Sequence, residues 1–260
     1  MSKAEGKNEK IGEAVENTFV EKVKETFQEN LISILLYGSY VEGNYKQDSS
    51  DINVLIILSR AGFSDLEEFG KECKGLIKKY KITPLILRKS EFINSADVFP
   101  MEYMDLLERH TCIYGEDVTK ELNLTNENLR HQLEFLLRGS INSLRQLIVG
   151  SPGKYRVLGK NLKNLFGSYI GLFRGVLRLR GISPVPYEAK DILKRISSEF
   201  SQGEGESTKI IFDITPFLEL IMYRDGDGEG EKKDPKRLGT EILKELQGLV
   251  TIVDAMDQGK

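Results

Sequence analysis

The chain has 260 residues, a formal net charge of −3, 40% hydrophobic and 30% charged residues, enough to bury the core of one large or two mid-sized domains. The balance excludes chain-wide basic character, so an anionic partner would have to be met by local charge. Cys73 and Cys112 match neither a disulfide framework nor a zinc-ligand spacing, which points to a reducing, cytoplasmic setting.

The first residues, MSKAEGKNEKIGEAVENTF, lack the apolar core of a signal peptide, and no uncharged apolar stretch reaches the roughly 18 residues of a membrane span. No membrane association is expected. Ile11, Val15, Phe19, Val23 and Phe27 recur at a four-residue step with charges between them, predicting an amphipathic helix over residues 9–29. Two apolar strands follow, at 31–37 and 52–58. Ser64 with Glu67 three residues later forms a capping-box signature for a helix reaching about residue 80. A short strand is predicted at 83–87. The next stretch is open: Glu102 and Asp105 share a face if it is helical and not if it is extended, and residues 111–114 before Gly115 read as another strand.

From Thr125 the pattern is helical. Leu129, Leu133, Leu136, Leu137, Ile141, Leu144 and Ile148 mark one helix, with others over 158–179, 187–200, 210–222 and 238–253. Breaks at Gly150-Ser151-Pro152-Gly153, at 181–186, at 203–206 and at 225–234 separate them. The expected class is therefore α+β: a mixed sheet with flanking helices over residues 1–120, then an all-α helical bundle over 121–260.

The stretch GSYVEGNYKQDSSDIN, residues 38–53, carries the chemistry. A Gly-Ser pair directly after a strand can offer backbone amides and a hydroxyl to phosphate oxygens. Asp51 and residue 53 lie two apart on the next strand and face the same side, where two carboxylates could share a divalent ion. Residue 53 is Asn.

Gly38, Ser39, Ser50, Asp51 and Asn53, with Gly43 in the intervening turn, resemble the nucleotidyltransferase superfamily of DNA polymerase beta. Its signature is a Gly-Ser turn followed after about ten residues by a strand opening Ser-Asp-x-Asp. The resemblance covers roughly the first 115 residues and is greatest to small stand-alone nucleotidyltransferases that carry a helical bundle. It implies Gly38, Ser39 and Ser50 on a triphosphate, Asp51 and Asn53 at the catalytic positions, and Asp51 on magnesium. In the family two Asp residues and a third carboxylate on a later strand hold two magnesium ions, and a nucleoside monophosphate passes to a hydroxyl.

The sequence departs from that pattern twice: Asn53 offers no charge, and Ile82-Thr83-Pro84-Leu85-Ile86-Leu87 supplies no acid. Glu42, Asp48, Asp97, Glu102 and Asp105 are the candidate substitutes, or else ordinary solvated acids. Two readings follow. One is a degenerate metal site that binds a nucleoside triphosphate or related anion with little or no transfer. The other is an active magnesium-dependent nucleotidyltransferase acting on a hydroxyl acceptor.

A second signal is charge segregation. Between Phe135 and Tyr187 there is no Asp or Glu, while Arg138, Arg145, Lys154, Arg156, Lys160, Lys163, Arg174, Arg178 and Arg180 fall within the segment. Such clustering suits an anionic partner, and Lys160 and Lys163 are its candidate triphosphate ligands. Gly167, Gly171 and Gly175 leave a smooth helical stripe suited to close packing. The acidic start of 225–230 resembles a calcium loop, but Lys236 occupies the twelfth position where Glu is needed, so a linker is expected. His110 and His131 have no partner motif. No basic arm or interleaved aromatics point to sequence-specific nucleic-acid binding; a protein partner or a second copy of the chain remains a candidate.

Overall fold

The computed structural model describes residues 15–41, 51–200, 212–225 and 234–256. The chain divides into two compact units, residues 1–125 and 126–260. No described helix is long and apolar enough to cross a membrane.

The first unit is a mixed sheet with helices on both faces. A helical segment from Val15 leads through α1 (Val20–Phe27) into β1 (Leu31–Tyr37), which pairs antiparallel with β2 (Ile52–Leu58). Helix α2 (Phe63–Tyr80) then crosses to β3 (Ile82–Arg88), parallel to β2. Helices α3 (Lys89–Asn94) and α4 (Pro100–Glu108) precede β4 (His110–Gly115), antiparallel to β1, so the strand order is β3-β2-β1-β4.

β2 reads INVLIIL and is apolar on both faces because both are covered. On one face Ile34, Leu36, Val54, Ile56 and Leu58 meet Phe19, Val23, Phe69 and Cys73. Phe69 stacks on Phe27 at 5.5 Å and meets Phe19 edge-on at 6.3 Å. On the other face Leu35, Leu55 and Ile57 meet Phe92, Tyr103 and Leu106. Full burial of side chains of this size contributes about 1.5–3 kcal/mol each. Cys73 is buried and its thiol is pushed up to about 11 by that burial, so it is packing material rather than a nucleophile.

Asn30 fixes the β1–β2 pairing at one end. Its Oδ1 accepts from the Ser59 hydroxyl at 2.6 Å and the Arg60 amide at 2.9 Å, and its Nδ2 donates to the Arg60 carbonyl at 2.9 Å. The α2 cap differs from the Ser64/Glu67 box read in the sequence. Gly62, extended, precedes the helix, so Asp65 is its third residue and accepts from the Gly62 amide at 2.9 Å. Glu67 instead pairs along the helix with Lys71 at 3.2 Å.

After β4, Asp117 caps the short turn 118–121. Its Oδ1 accepts from the Thr119 hydroxyl at 2.5 Å and amide at 3.2 Å, and lies 3.4 Å from His110 Nε2. Desolvation opposes its charge, but the Thr119 bonds and His110 outweigh it and hold the carboxyl below its ordinary 3.8. A lowered carboxyl stabilises above its unfolded value, and that contribution is lost as pH falls through the folded one. The wild-type advantage over Asp117→Asn in thermal unfolding is therefore expected above pH 3.8 and should close below it. A gap unchanged from neutral to strongly acid pH would sink this.

The second unit is all-helical: α5 (Asn126–Gly150), α6 (Tyr155–Leu179), α7 (Ala189–Phe200), α8 (Thr215–Asp225) and α9 (Pro235–Ala255). α5 packs on α6 and α9, and α6 packs on α7 and α8. Leu129, Leu133, Leu137, Ile141 and Leu144 form the buried stripe of α5 at the helical spacing. Phe173, Phe212 and Phe217 form an aromatic cluster, with Tyr169 edge-on to Phe217 at 5.9 Å. Asp234 caps α9 by accepting from the Lys236 and Arg237 amides at 3.0 and 3.1 Å.

Of the glycine stripe, Gly175 is buried, whereas Gly167 and Gly171 do not pack closely. A Cβ on Gly167 or Gly171 would meet nothing within 4 Å, whereas one on Gly159 would run into the Tyr223 hydroxyl and Pro235. Close approach occurs one turn from the helix start because that is where α8 and α9 cross α6. The linker at 226–233 and the break at 203–206 lie outside the described residues.

Candidate active site

Strand directions bring the candidate residues to one sheet edge. The end of β1 and the starts of β2, β3 and β4 meet there, with Tyr37 opposite both Asn53 and His110, and Asn53 opposite Thr83. The Gly38–Ser39 turn sits on this edge, followed by a single 3-10 turn to Tyr40.

Gly38 has φ +80°, a left-handed conformation that favours glycine. A Cβ there would also stand 3.1 Å from Asn53 Nδ2. Its amide donates to the Arg109 carbonyl at 3.1 Å, so Gly38 contributes the bend rather than a phosphate-facing N–H. Ser39 is 9% exposed, and among the described residues its hydroxyl has no hydrogen-bond partner.

Asp51 is exposed at the entry to β2. Its Oδ2 accepts from the Thr83 hydroxyl at 3.5 Å, a long bond. Asp51, Asn53 and Thr83 thus form one group: the first carboxylate, the amide in place of the second, and a hydroxyl on the strand expected to bring the third. Ser50, Glu42 and Asp48 lie outside the described residues.

A pair of divalent ions requires several anionic oxygens at one point. Asp51, Asn53 and Thr83 supply one charge, one neutral carbonyl and one hydroxyl. Among the described residues no three His, Cys, Asp or Glu side chains gather where they could hold an ion. This donor set does not fit a two-metal site.

The other acids are placed differently. The helical α4 puts Glu102 and Asp105 on one face, which settles the alternative left open by the sequence. Asp105 reaches Arg109 at 4.0 Å, and Glu108 pairs with Arg109 at 3.1 Å. Arg109 and the Glu108 side chain are buried, while Asp97 is exposed beyond α3. Arg109 was not legible as a site residue: its contribution runs through a backbone carbonyl, which any residue possesses.

Lys160 and Lys163 lie on α6 of the second unit; Lys160 is exposed, and the Lys163 ammonium stands 4.3 Å from the Tyr223 ring centroid. The cationic segment is spread over α5, α6 and the following turn. Arg138 pairs with Glu134 at 2.8 Å and Asp254 at 3.6 Å, acids outside the acid-free segment, and Arg180 stands over Phe200.

Residues 16–124 match the family model described as a nucleotidyltransferase domain. No curated protein matches the chain. Among solved structures, spectinomycin adenyltransferase AAD(9) from Enterococcus faecialis, determined with ATP and spectinomycin, is similar in fold. The identity is 13% and the TM-score 0.51, over 92% of this chain and 98% of that one.

Proposed function

Because the N-terminal unit belongs to the nucleotidyltransferase superfamily, we propose that it binds a nucleoside triphosphate or related anion at the Gly38–Ser39 turn with little or no transfer activity. The carrying observation is the in-register pair Asn53 and Thr83, which leaves Asp51 as the group's one carboxylate. The Ser39 hydroxyl, without a hydrogen-bond partner among the described residues, supports anion binding, and Ser50, Lys160 and Lys163 are its further candidate ligands. If a magnesium ion is retained, Asp51 is its anionic ligand. The two free cysteines agree with a cytoplasmic setting. A protein partner or second copy would then read out the bound state.

The second reading, an active transferase moving a nucleoside monophosphate to a hydroxyl, is favoured by an exposed Asp51 and by the fold likeness over nearly the whole of both chains. The sign of one substitution separates the two. Beside a triphosphate without metal, Asp51 is a like charge, costing about 1 kcal/mol at 4 Å in water and up to about 4 at an effective dielectric of 20. With metal it is a ligand. Calorimetric titration with the four ribonucleoside triphosphates, with and without magnesium, should therefore show Asp51→Ala binding as tightly as wild type or tighter, with little magnesium dependence. Tight magnesium-dependent binding abolished in Asp51→Ala would overturn metal-independent binding, and release of pyrophosphate in the same mixture would replace this proposal with the transferase. No binding of any triphosphate would end both.

A further inference from the structure

The second unit contains a cavity of about 320 Å³ lined by Arg138, Ile141, Asn142 and Arg145 of α5 and Gln247 and Val250 of α9. Ile141 and Val250 are 6% and 9% exposed and form an apolar floor. Arg138, Asn142 and Arg145 are spaced at helical intervals, so they rise along one side, and Gln247 is exposed on the other.

The two arginines differ in what already meets them. Arg138 is held between Glu134 and Asp254, and its charge is offset. Arg145 is exposed, and its Nη1 donates only to the neutral Asn142 Oδ1 at 3.4 Å; it meets no carboxylate among the described residues. Among the described residues no acid lines the cavity. A planar guanidinium with donors to spare suits a carboxylate or phosphate, flanked by two amide side chains over a hydrocarbon floor. Its volume falls at the lower end of small-molecule sites.

We propose that this cavity binds a small organic anion: an apolar body on Ile141 and Val250, and a carboxylate or phosphate monoester on Arg145, with Asn142 and Gln247 as further polar contacts. This does not rest on the reading of the Gly38–Ser39 turn, since every lining residue lies in the helical unit. Two sources share the chemistry, and the probes separate them.

The test is calorimetric titration of the full chain with benzoate, phenyl phosphate and, as neutral counterpart, benzyl alcohol. At least one anion should bind about tenfold or more tightly than the alcohol, benzoate alone pointing to carboxylates and phenyl phosphate alone to phosphate monoesters. Arg145→Ala removes the cation, and Gln247→Trp covers the mouth from an exposed position. Each should weaken anion binding about fivefold or more with the unfolding midpoint unchanged, losses well beyond those of ordinary surface substitutions. Equal binding of the alcohol, no binding of either anion, or anion binding indifferent to both variants would overturn the proposal.

Discussion

Asn53→Asp combined with Thr83→Glu should convert indifferent nucleotide binding into magnesium-dependent binding, tightening it about tenfold or more when the ion is present. Asp51 and Asn53 share a strand face, and Thr83 pairs with Asn53 across the parallel ladder, so the two new carboxylates join Asp51 at one point. A unit charge pair at 4 Å is worth about 4 kcal/mol at an effective dielectric of 20, before desolvation. Three acids placed so closely repel one another without a cation. The double variant should therefore melt lower than wild type in chelator and regain the loss in magnesium, because the ion binds only the folded state. This thermal readout needs no catalysis. If neither melting nor binding responds to magnesium, absent charge is not what separates this site from the nucleotidyltransferase pattern.

The strands of the first unit were legible because their signal is short and two-sided. Residues 31–37 and 52–58 are apolar runs bounded by polar residues, and both appear with those bounds. The helices of the second unit carry the longer 3.6-residue period, which survives errors of a few residues at either end. Residues 89–108 resisted because α3 is only six residues long and Pro100, a helix starter at the first turn, equally marks a loop. The site was half visible. The candidates Gly38, Ser39, Asp51 and Asn53 come from the motif and its family resemblance, whereas the use of the Gly38 amide by the Arg109 carbonyl arises from β1–β4 pairing across a long sequence gap. Gly167 and Gly171 misled for a related reason: small side chains permit close approach without requiring it, and Gly159, outside the stripe, is the glycine that meets Tyr223.

Gly115→Ala should be the most damaging single-methyl change in the first unit. Gly115 closes β4 at φ +77°, where an alanine costs about 1–2 kcal/mol from its own backbone. Its position adds a second cost. It pairs with Ser33, and a Cβ would collide with the Ile32 carbonyl oxygen and stand 3.0 Å from the Ile32 carbonyl carbon and 3.1 Å from Ser33 Cα. These are backbone atoms of a strand held by β2 on its other side, so relief requires β1 and β4 to part. Together the terms should exceed about 3 kcal/mol, at the upper end of single substitutions, and lower the midpoint of a unit this size by about 10 °C. Gly70→Ala is the matched control. It lies inside α2 with nothing within 4 Å of an added Cβ, and should stabilise by about 0.5–1 kcal/mol. The disturbance should also reach the site, because β1 carries Gly38 at its far end: nucleotide binding in Gly115→Ala should weaken even below its melting range, while Gly70→Ala binds as wild type. Equal midpoints for the two variants would mean that β4 shifts freely against β1, and that the sheet edge is not what fixes the Gly38–Ser39 turn.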